Sequence, residues 1–343
     1  MKTFAAKKFL TRVLISTVAT LSLPTCVQAQ DTPVSSPGRD APAGVMNSML
    51  HREGEWMASV RLMTMSMSGS RDGRTDLSDA EVFNRGYAQS PQNMTMLMPA
   101  LDVMYGLTER ITLSATLPFV FNSMDMRMMD DSTFTMKASG VGDLRAGAMF
   151  GLYRGRRQDL HFYAGLQFPL GSVTARDDMP DCPNCKVDYP MQPGSGTFDV
   201  TPGLTWVLDE DRWSWGANWL SVLRTGDNSE GYRFGNRHDL SAWGSRQLNR
   251  HVSASVRLSG SIWENVHGAD PDFDPTMSPT QDPAAQGGKR MDLSVGMAFK
   301  PTVDVLRRGR LAVEVGHALA QSLDGPQLAT GWTSSFLWQL WWY

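Results

Sequence analysis

The chain has 343 residues, a formal net charge of −3 and 41% hydrophobic residues. Beyond the first 29 residues its charges form no basic tract, which excludes a nucleic-acid partner from our expectations. After residue 24 no stretch approaches the roughly 18–20 continuous apolar residues of a membrane-spanning helix, so a helical membrane protein is also excluded.

The first segment, residues 1–29, has the composition of a secretory signal peptide. Basic residues precede the apolar run VLISTVATLSL, and Val27-Gln28-Ala29 satisfies the small-x-small rule for cleavage. We therefore expect cleavage after Ala29. The alternative is a lipoprotein signal in which Cys26 carries the lipid.

Residues 30–53 are rich in Pro, Ser and Gly and are predicted to form an N-terminal periplasmic tail. Two readings of this tail stay open. It plugs the lumen of the domain that follows, 54–343, or its Met46, Met49 and His51 pass a soft metal inward.

From Glu55 onward, apolar residues recur at every second position. In HVSASVRLSGSIW (251–263), alternate residues are apolar, whereas those between them are serines and Arg257. Such alternation is typical of a β-strand with one apolar and one polar face. About twelve segments of this kind follow one another, at roughly 55–67, 94–106, 110–122, 141–153, 159–170, 197–208, 212–224, 237–247, 251–263, 290–300, 310–320 and 332–343.

The connections between these segments alternate between short and long. An even strand number with this alternation predicts an all-β fold, an antiparallel transmembrane β-barrel of about 12 strands with periplasmic termini and long extracellular loops. The bacterial outer membrane is the expected location and its lipid an expected partner. The alternative is a soluble, secreted β-sandwich.

The chain ends in SSFLWQLWWY, a strand that closes on an aromatic residue. This ending resembles the C-terminal signal by which bacterial barrels are recognised for assembly. The resemblance implies the barrel assembly machinery as a second partner.

Methionines occupy alternate positions in three runs. The runs are Met63, Met65 and Met67; Met94, Met96 and Met98; and Met124, Met126 and Met128. The first two share a face with Arg61 and Asp102, and charge is destabilising on the lipid face, so this face is predicted to line the lumen. The three runs should also share a height and form one inward-facing patch at the outer mouth.

Three hypotheses account for such a patch. Thioethers are soft ligands that select Cu(I) and Ag(I), with Met63, Met65, Met94 and Met96 as candidate ligands. They also form an adaptable apolar surface suited to hydrophobic or aromatic solutes. Finally, they could simply fill the lumen or pack against an inward-folded loop. Apart from Cu(I), no cofactor is expected.

Charged residues of both signs lie on the predicted lumen face. The principal ones are Arg61, Asp102, Asp143, Arg145, Arg257 and Asp292. Such residues either form a salt-bridged filling of the barrel interior or set the ion selectivity of an open pore.

Three stretches carry a family resemblance: YGLTERITLSATLPFVF (105–121), ASGVGDLRAGAMFGLY (138–153) and GLQFPLG (165–171). They resemble the outer-membrane transporter family named for the phenol meta-degradation pathway. The resemblance implies a barrel that passes small, often aromatic, hydrophobic compounds across the outer membrane, and it implies no catalytic residues. The methionine runs are not part of the family pattern.

Cys182 and Cys185 lie in a long, Pro-rich connection. A local disulfide is the favoured interpretation in an oxidising compartment. A redox motif, half of a zinc site and soft-metal capture are the alternatives.

Asp270, Asp272 and Asp274 alternate in another long connection, where a solvated acidic loop is favoured over a Ca²⁺ site. The six histidines show no H-E-x-x-H spacing, and G-x-S-x-G is absent from the sequence. We therefore expect a channel or binding protein rather than an enzyme, with a barrel that performs no transport as a further alternative.

Overall fold

The computed structural model describes residues 41–180, 182–301 and 309–343. The predicted signal peptide, 1–29, lies outside these residues, as does the first part of the predicted tail. The strands are β1 (Trp56–Gly73), β2 (Thr75–Leu77), β3 (Gln89–Thr108), β4 (Ile111–Met128), β5 (Thr133–Val141), β6 (Leu144–Arg154), β7 (Gln158–Phe168), β8 (Arg176–Met179), β9 (Cys182–Lys186), β10 (Asp199–Glu210), β11 (Trp213–Arg224), β12 (Tyr232–Arg233), β13 (Arg237–Gln247), β14 (Val252–Trp263), β15 (His267–Gly268), β16 (Gly288–Phe299) and β17 (Gly309–Trp342). Among these described residues, one α-helix, α1 (Asp79–Asn84), and two short 3₁₀ helices, Tyr189–Met191 and Pro283–Ala285, accompany the strands.

Eleven of these elements form one antiparallel sheet that closes into a barrel. Their order is β1, β3, β4, β6, β7, β10, β11, β13, β14, β16 and β17, and β17 pairs back onto β1. Outside this ring, β2 pairs with β1 and β5 pairs with β4. Two small sheets, β8–β9 and β12–β15, belong to the long connections.

The ring differs from the predicted count of about twelve at its last element. The segments predicted at 310–320 and 332–343 lie in one element, β17. Its first part, from Leu311 to Leu323, pairs with β16, and its second part, from Gln327 to Trp342, pairs with β1.

Side chains alternate between the two faces of the wall. Val60, Leu62 and Leu101 point outward with 36–49% of their surface exposed, whereas the neighbouring Arg61 and Asp102 are buried inside. An apolar outer face around a polar interior is the arrangement of a barrel that stands in lipid. None of the helices among the described residues is long and apolar enough to cross a membrane.

Several strands are longer than their predicted segments. β1 continues to Gly73 and β4 to Met128, and β5 covers part of a predicted connection. Beyond Phe121, the outward residues of β4 are Ser123, Asp125 and Arg127. The apolar–polar alternation therefore ends before the backbone pairing does.

The described part of the N-terminal tail, 41–53, crosses the barrel lumen near the end with the short turns. Gly44 donates its N–H to Glu314 of β17 at 3.1 Å, and the ring Nε2 of His161 in β7 contacts the Asn47 carbonyl oxygen at 2.9 Å. His51 donates its N–H to the Thr112 hydroxyl of β4 at 2.9 Å. This segment thus contacts well-separated parts of the wall.

The opposite end of the barrel is covered by three connections, 169–198, 225–236 and 264–287, which we call the cap. Tyr189 packs edge-on against Tyr232 and Phe273, joining the three. The Tyr189 hydroxyl also accepts the Asp270 N–H at 2.9 Å. The cap therefore has a small aromatic core of its own.

Candidate functional site: a cavity in the barrel lumen

The register of the strands places the methionines opposite one another. Met63 is paired with Met98, Met65 with Met96, and Met67 with Met94 across β1 and β3. The last row continues through Met124 of β4 to Met136 of β5. Directly opposed residues have Cβ atoms about 4.5–5.5 Å apart, so these thioethers are neighbours.

The methionines near the cap form a dry cluster, which we call the capped cluster. It contains Met94, Met124, Met126, Met136 and Met191, each at most 3% exposed, with Val187 and Ala138. Val187 and Met191 come from connection 169–198, which folds inward over the strands. Met67 and Met96 pack at its margin. The methionines near the cap therefore pack against an inward-folded connection, which is the third of the three hypotheses for the runs.

Four other methionines of the first two runs line a cavity of about 380 Å³ in the lumen. Met63, Met65, Met96 and Met98 form one side of it, which we call the methionine wall. All four are half-buried. The predicted single patch is therefore divided into a packed part and a cavity-lining part, and Met128, half-buried opposite Gln89, belongs to neither.

Charged side chains line the same cavity. Arg237 pairs with Asp239 and Arg290 with Asp292, each at 2.9 Å. Arg257 donates its Nε to Glu314 at 2.8 Å. These side chains come from β13, β14, β16 and β17. The cavity therefore combines thioethers with ion pairs.

Below the cavity, the predicted lumen charges Arg61 and Asp102 are buried together. Arg61 Nε lies 3.5 Å from the Asp102 carboxylate, which also accepts the Ser59 and Thr116 hydroxyls at 2.8 and 2.7 Å. Arg61 donates as well to the carbonyl of Ala43 in the N-terminal segment. This pair ties the segment to the wall.

Asp143 lies at the rim of the cavity and accepts neutral donors. It accepts the Gly171 N–H at 3.0 Å and both the N–H and the hydroxyl of Ser195, at 2.8 and 2.6 Å. Both donors belong to connection 169–198. Asp143 therefore anchors the start and the end of that connection.

The cap contains an ion cluster around Lys186. Its Nζ contacts Glu230 at 2.7 Å, Asp270 at 2.9 Å and Asp272 at 3.0 Å. The expectation of a solvated acidic loop is wrong for Asp270, whose side chain is fully buried because this ammonium group compensates its charge. Burial acts to lower the pKa of Lys186, but the three carboxylates outweigh it and raise that pKa. Asp274 remains exposed.

A second buried carboxylate, Asp188, has neutral partners. It accepts the Thr280 hydroxyl and the Gln281 amide, the latter at 2.9 Å. Complete burial raises the pKa of Asp188 above its ordinary value, and these two hydrogen bonds only partly oppose the rise. Cys182 and Cys185 form a disulfide at the tip of the adjacent β8–β9 hairpin, with Cα atoms 5.7 Å apart.

Several residues of this region were not identified from the sequence. Met136 and Met191 complete the capped cluster, and Arg237, Asp239 and Arg290 line the cavity. Arg290 has the same parity as Asp292, which was identified, so strand alternation could have found it. Met191 lies outside any barrel strand, and nothing local in the sequence indicates that it folds inward.

Comparison with known proteins supplies the family and the fold. The family model described as "Putative MetA-pathway of phenol degradation" matches residues 93–276. An outer membrane channel from Pseudomonas putida F1 is similar in structure, with a TM-score of 0.62 at 13% identity, covering 88% of this chain and 100% of that one. A Pseudomonas aeruginosa FadL homologue (TM-score 0.45, 11% identity, 90% and 98% covered) and the P. putida toluene transporter TodX (0.43, 10%, 84% and 90%) also match. A search of curated proteins found no significant match.

The first of these structures shares the barrel fold over nearly the whole chain. A closed barrel satisfies its backbone hydrogen bonds within the wall, and here the outward face is apolar, so the protein is one of the bacterial outer membrane. The family match covers more than half of the 343 residues. The chain therefore belongs to the family described as "Putative MetA-pathway of phenol degradation".

Proposed function

We propose that the protein is a passive outer-membrane channel for small hydrophobic or aromatic solutes, without a catalytic step. The observation that carries this proposal is the lumen cavity of about 380 Å³, lined on one side by Met63, Met65, Met96 and Met98. Methionine is flexible and polarizable, and cavities of this size accept small molecules. Thioethers in an otherwise charged lumen provide contact for an apolar solute.

We propose further that the wall has twelve crossings and that both ends of the barrel chain are periplasmic. Every pairing around the ring is antiparallel, and antiparallel neighbours can close a ring only in even number. One of the eleven elements must therefore reverse direction. β17 is the candidate, because its 34 residues would extend about 110 Å and Gly325 has a φ of +82°.

In this proposal the cap is extracellular, and two constrictions control passage. A solute enters between the cap connections, contacts the methionine wall and leaves past segment 41–53. The Arg61–Asp102 pair and the Ala43 carbonyl hold that segment in the lumen. Passage therefore requires movement within the cap and within this segment.

The test is uptake of radiolabelled toluene by intact cells with and without the protein, at concentrations where the outer membrane limits entry. We expect the protein to raise the initial rate and a Met65→Asn/Met98→Asn double variant to lose most of the gain. A matched Met129→Asn variant, at an exposed methionine outside the cavity, should behave as wild type. Equal uptake with and without the protein would contradict the channel.

A second candidate function is Cu(I) or Ag(I) binding, favoured by the direct opposition of Met63 with Met98 and of Met65 with Met96. Of the four ligands expected from the sequence, Met94 lies in the capped cluster, whereas Met63, Met65 and Met96 reach the cavity. The guanidinium of Arg290, 3.8 Å from the Met65 sulfur, opposes a bound cation.

Titration of the refolded barrel with Ag(I) tests this candidate. Leucine at positions 63, 65, 94 and 96 keeps the apolar bulk and removes the sulfur. Binding that disappears in this variant supports metal handling, and equal affinity in both proteins excludes it.

We also propose that the C-terminal strand is read by the barrel assembly machinery. Trp338 and Trp342 are 38–39% exposed on the outer face beside β1. In this position the assembly machinery can contact them before the barrel enters the membrane. Deletion of residues 341–343 should lower the amount of folded protein in the outer membrane several-fold, measured by heat-modifiable mobility on gels.

A further inference from the structure

The arginines of the lumen cavity differ in whether they form an ion pair. Four of them, Arg145, Arg237, Arg257 and Arg290, line it. Three of the four form an ion pair with a carboxylate. Arg237 pairs with Asp239, Arg257 with Glu314 and Arg290 with Asp292. Among the described residues, Arg145 has no carboxylate within ion-pair distance. Arg145 is therefore the one arginine of this lining that forms no direct ion pair, and Asp143 and Asp239 line the same cavity at longer range.

The surroundings of Arg145 explain why no carboxylate reaches it. In the barrel wall it lies between Thr116 and Gln167. Its neighbour Asp143 is held by Gly171 and Ser195 of the connection above. Its Nη1 lies 3.9 Å from the Met46 sulfur, and within the described part of the chain its Nε has no hydrogen-bond partner. A guanidinium in a sheltered site with no anion in direct contact is costly, so this one is suited to receive an anion.

An apolar space joins this cation to the methionine wall. Ala100 and Pro118, opposed in β3 and β4, both line the cavity between Met98 and the Thr116 row. Met98 and Asp102 are four residues apart on the same face, about 14 Å along the strand. Ala100 and Pro118 thus continue the apolar lining of the cavity from the thioethers toward Arg145.

We propose that the cavity selects amphipathic anions, small molecules with an apolar or aromatic body and a carboxylate or sulfonate group. The anionic group binds the Arg145 guanidinium, with two N–H donors directed at two oxygens, and the body contacts the methionine wall. This inference rests on the proposed channel function and narrows its substrate class. A neutral hydrocarbon such as toluene still contacts the methionine wall and passes, but it binds less tightly because it brings no anion to Arg145. A bare inorganic anion would make no use of the thioethers.

The test measures binding to the purified full-length barrel by calorimetry, with benzoate, benzyl alcohol and acetate. Benzyl alcohol keeps the ring without the charge, and acetate keeps the charge without the ring. We expect benzoate to bind at least about tenfold more tightly than either. Arg145→Gln should weaken benzoate about tenfold and leave benzyl alcohol unchanged, and Arg145→Lys should restore part of the affinity.

Arg145→Gln should fold normally, because it breaks no ion pair, and heat-modifiable mobility verifies this. Equal benzoate affinity in wild type and Arg145→Gln would overturn the inference, as would acetate binding as tight as that of benzoate. Absence of benzoate binding to the wild type overturns it as well.

A separate measurement distinguishes failure of the channel proposal from failure of the anion-site proposal. Uptake of benzenesulfonate, which stays charged and does not cross bilayers, is followed in proteoliposomes. Uptake by the wild type that falls several-fold in Arg145→Gln supports both proposals. Uptake that is unchanged in the variant retains the channel and overturns the anion site. Benzoate binding without uptake retains the anion site and contradicts the channel.

Discussion

The strand methionines of the capped cluster and those of the methionine wall lie on the same, inward face of neighbouring strands. Yet Met124 and Met126 are at most 1% exposed, whereas Met63 and Met65 border a cavity. The difference arises in connection 169–198, which places Val187 and Met191 over the first pair only. Identical local patterns thus become a packed core in one place and a contact surface in another.

The comparison shows that the covering segment, and not the strand, determines what a period-two methionine does. Strand alternation fixes the face of the wall on which a side chain lies. Whether that side chain then meets solvent, a solute or another segment depends on contacts distant in sequence. The following experiments alter the cap or the methionines separately.

Removal of the Lys186 charge should have the largest effect, a loss of stability of the cap that covers the capped cluster. In Lys186→Met, the buried Asp270 carboxylate loses its compensating ammonium, and breaking such a buried pair costs about 3–5 kcal/mol. We expect this loss in the opening free energy of residues 182–191, measured by hydrogen exchange. Lys137→Met, at an exposed lysine of β5, is the control and should leave it unchanged. A loss in both variants would refute the role of the ion cluster.

Truncation of a capped methionine should have the next largest effect. Met126→Ala creates a cavity under the cap and should lower the stability by about 3 kcal/mol. Met65→Ala enlarges an existing cavity and should cost less than about 1 kcal/mol. Urea unfolding of the detergent-folded barrel measures both, and similar losses would mean that the two groups are packed alike.

Oxidation separates the two groups without mutation. Dilute hydrogen peroxide should convert Met63 and Met65 to sulfoxides about tenfold faster than Met124 and Met126, because the latter react only when the cap opens. Peptide mass spectrometry over time measures the rates. Lys186→Met should bring the four rates together, and uniform rates in the wild type would contradict a closed cap.

The pH dependence of the cap should be the smallest effect. The pKa of Asp188 is raised in the folded cap, so the folded state retains its proton at a pH where the opened cap releases it. Stability from this group should therefore rise as the pH falls from neutrality through the raised pKa, levelling off below the ordinary value near 4. Asp188→Asn should abolish the rise in hydrogen-exchange protection, corrected for intrinsic rates. A rise that persists in the variant must come from another group.

Much of the barrel was predictable because its signal is local. Alternation in β14 and β16 identifies both faces without knowledge of the rest of the chain. Strand ends were not predictable where both faces turn polar, as beyond Phe121 in β4. In β17 the two predicted segments lie in one element, because pairing continues through the residues between them.

The candidate site was predictable only in part for the same reason. Parity assigns Met63, Met98 and Arg145 to the lumen face, where all three line the cavity. It does not reveal that Arg145 lacks a carboxylate, since that depends on where Gly171 and Ser195 hold Asp143. Whether Asp143 pairs with Arg145 or with Gly171 and Ser195 is decided by the tertiary structure.

The N-terminal segment has a consequence for the order of folding. Gly44 meets Glu314 across 270 positions of sequence, and at the seam Thr64 of β1 meets Ser334 of β17 across the same separation. Contacts between such distant residues are entropically expensive and form late. Insertion of the segment and closure of the ring should therefore occur in one kinetic step. A folding intermediate trapped before this step would have an unpaired β1–β17 seam, and its lumen would not yet contain the segment.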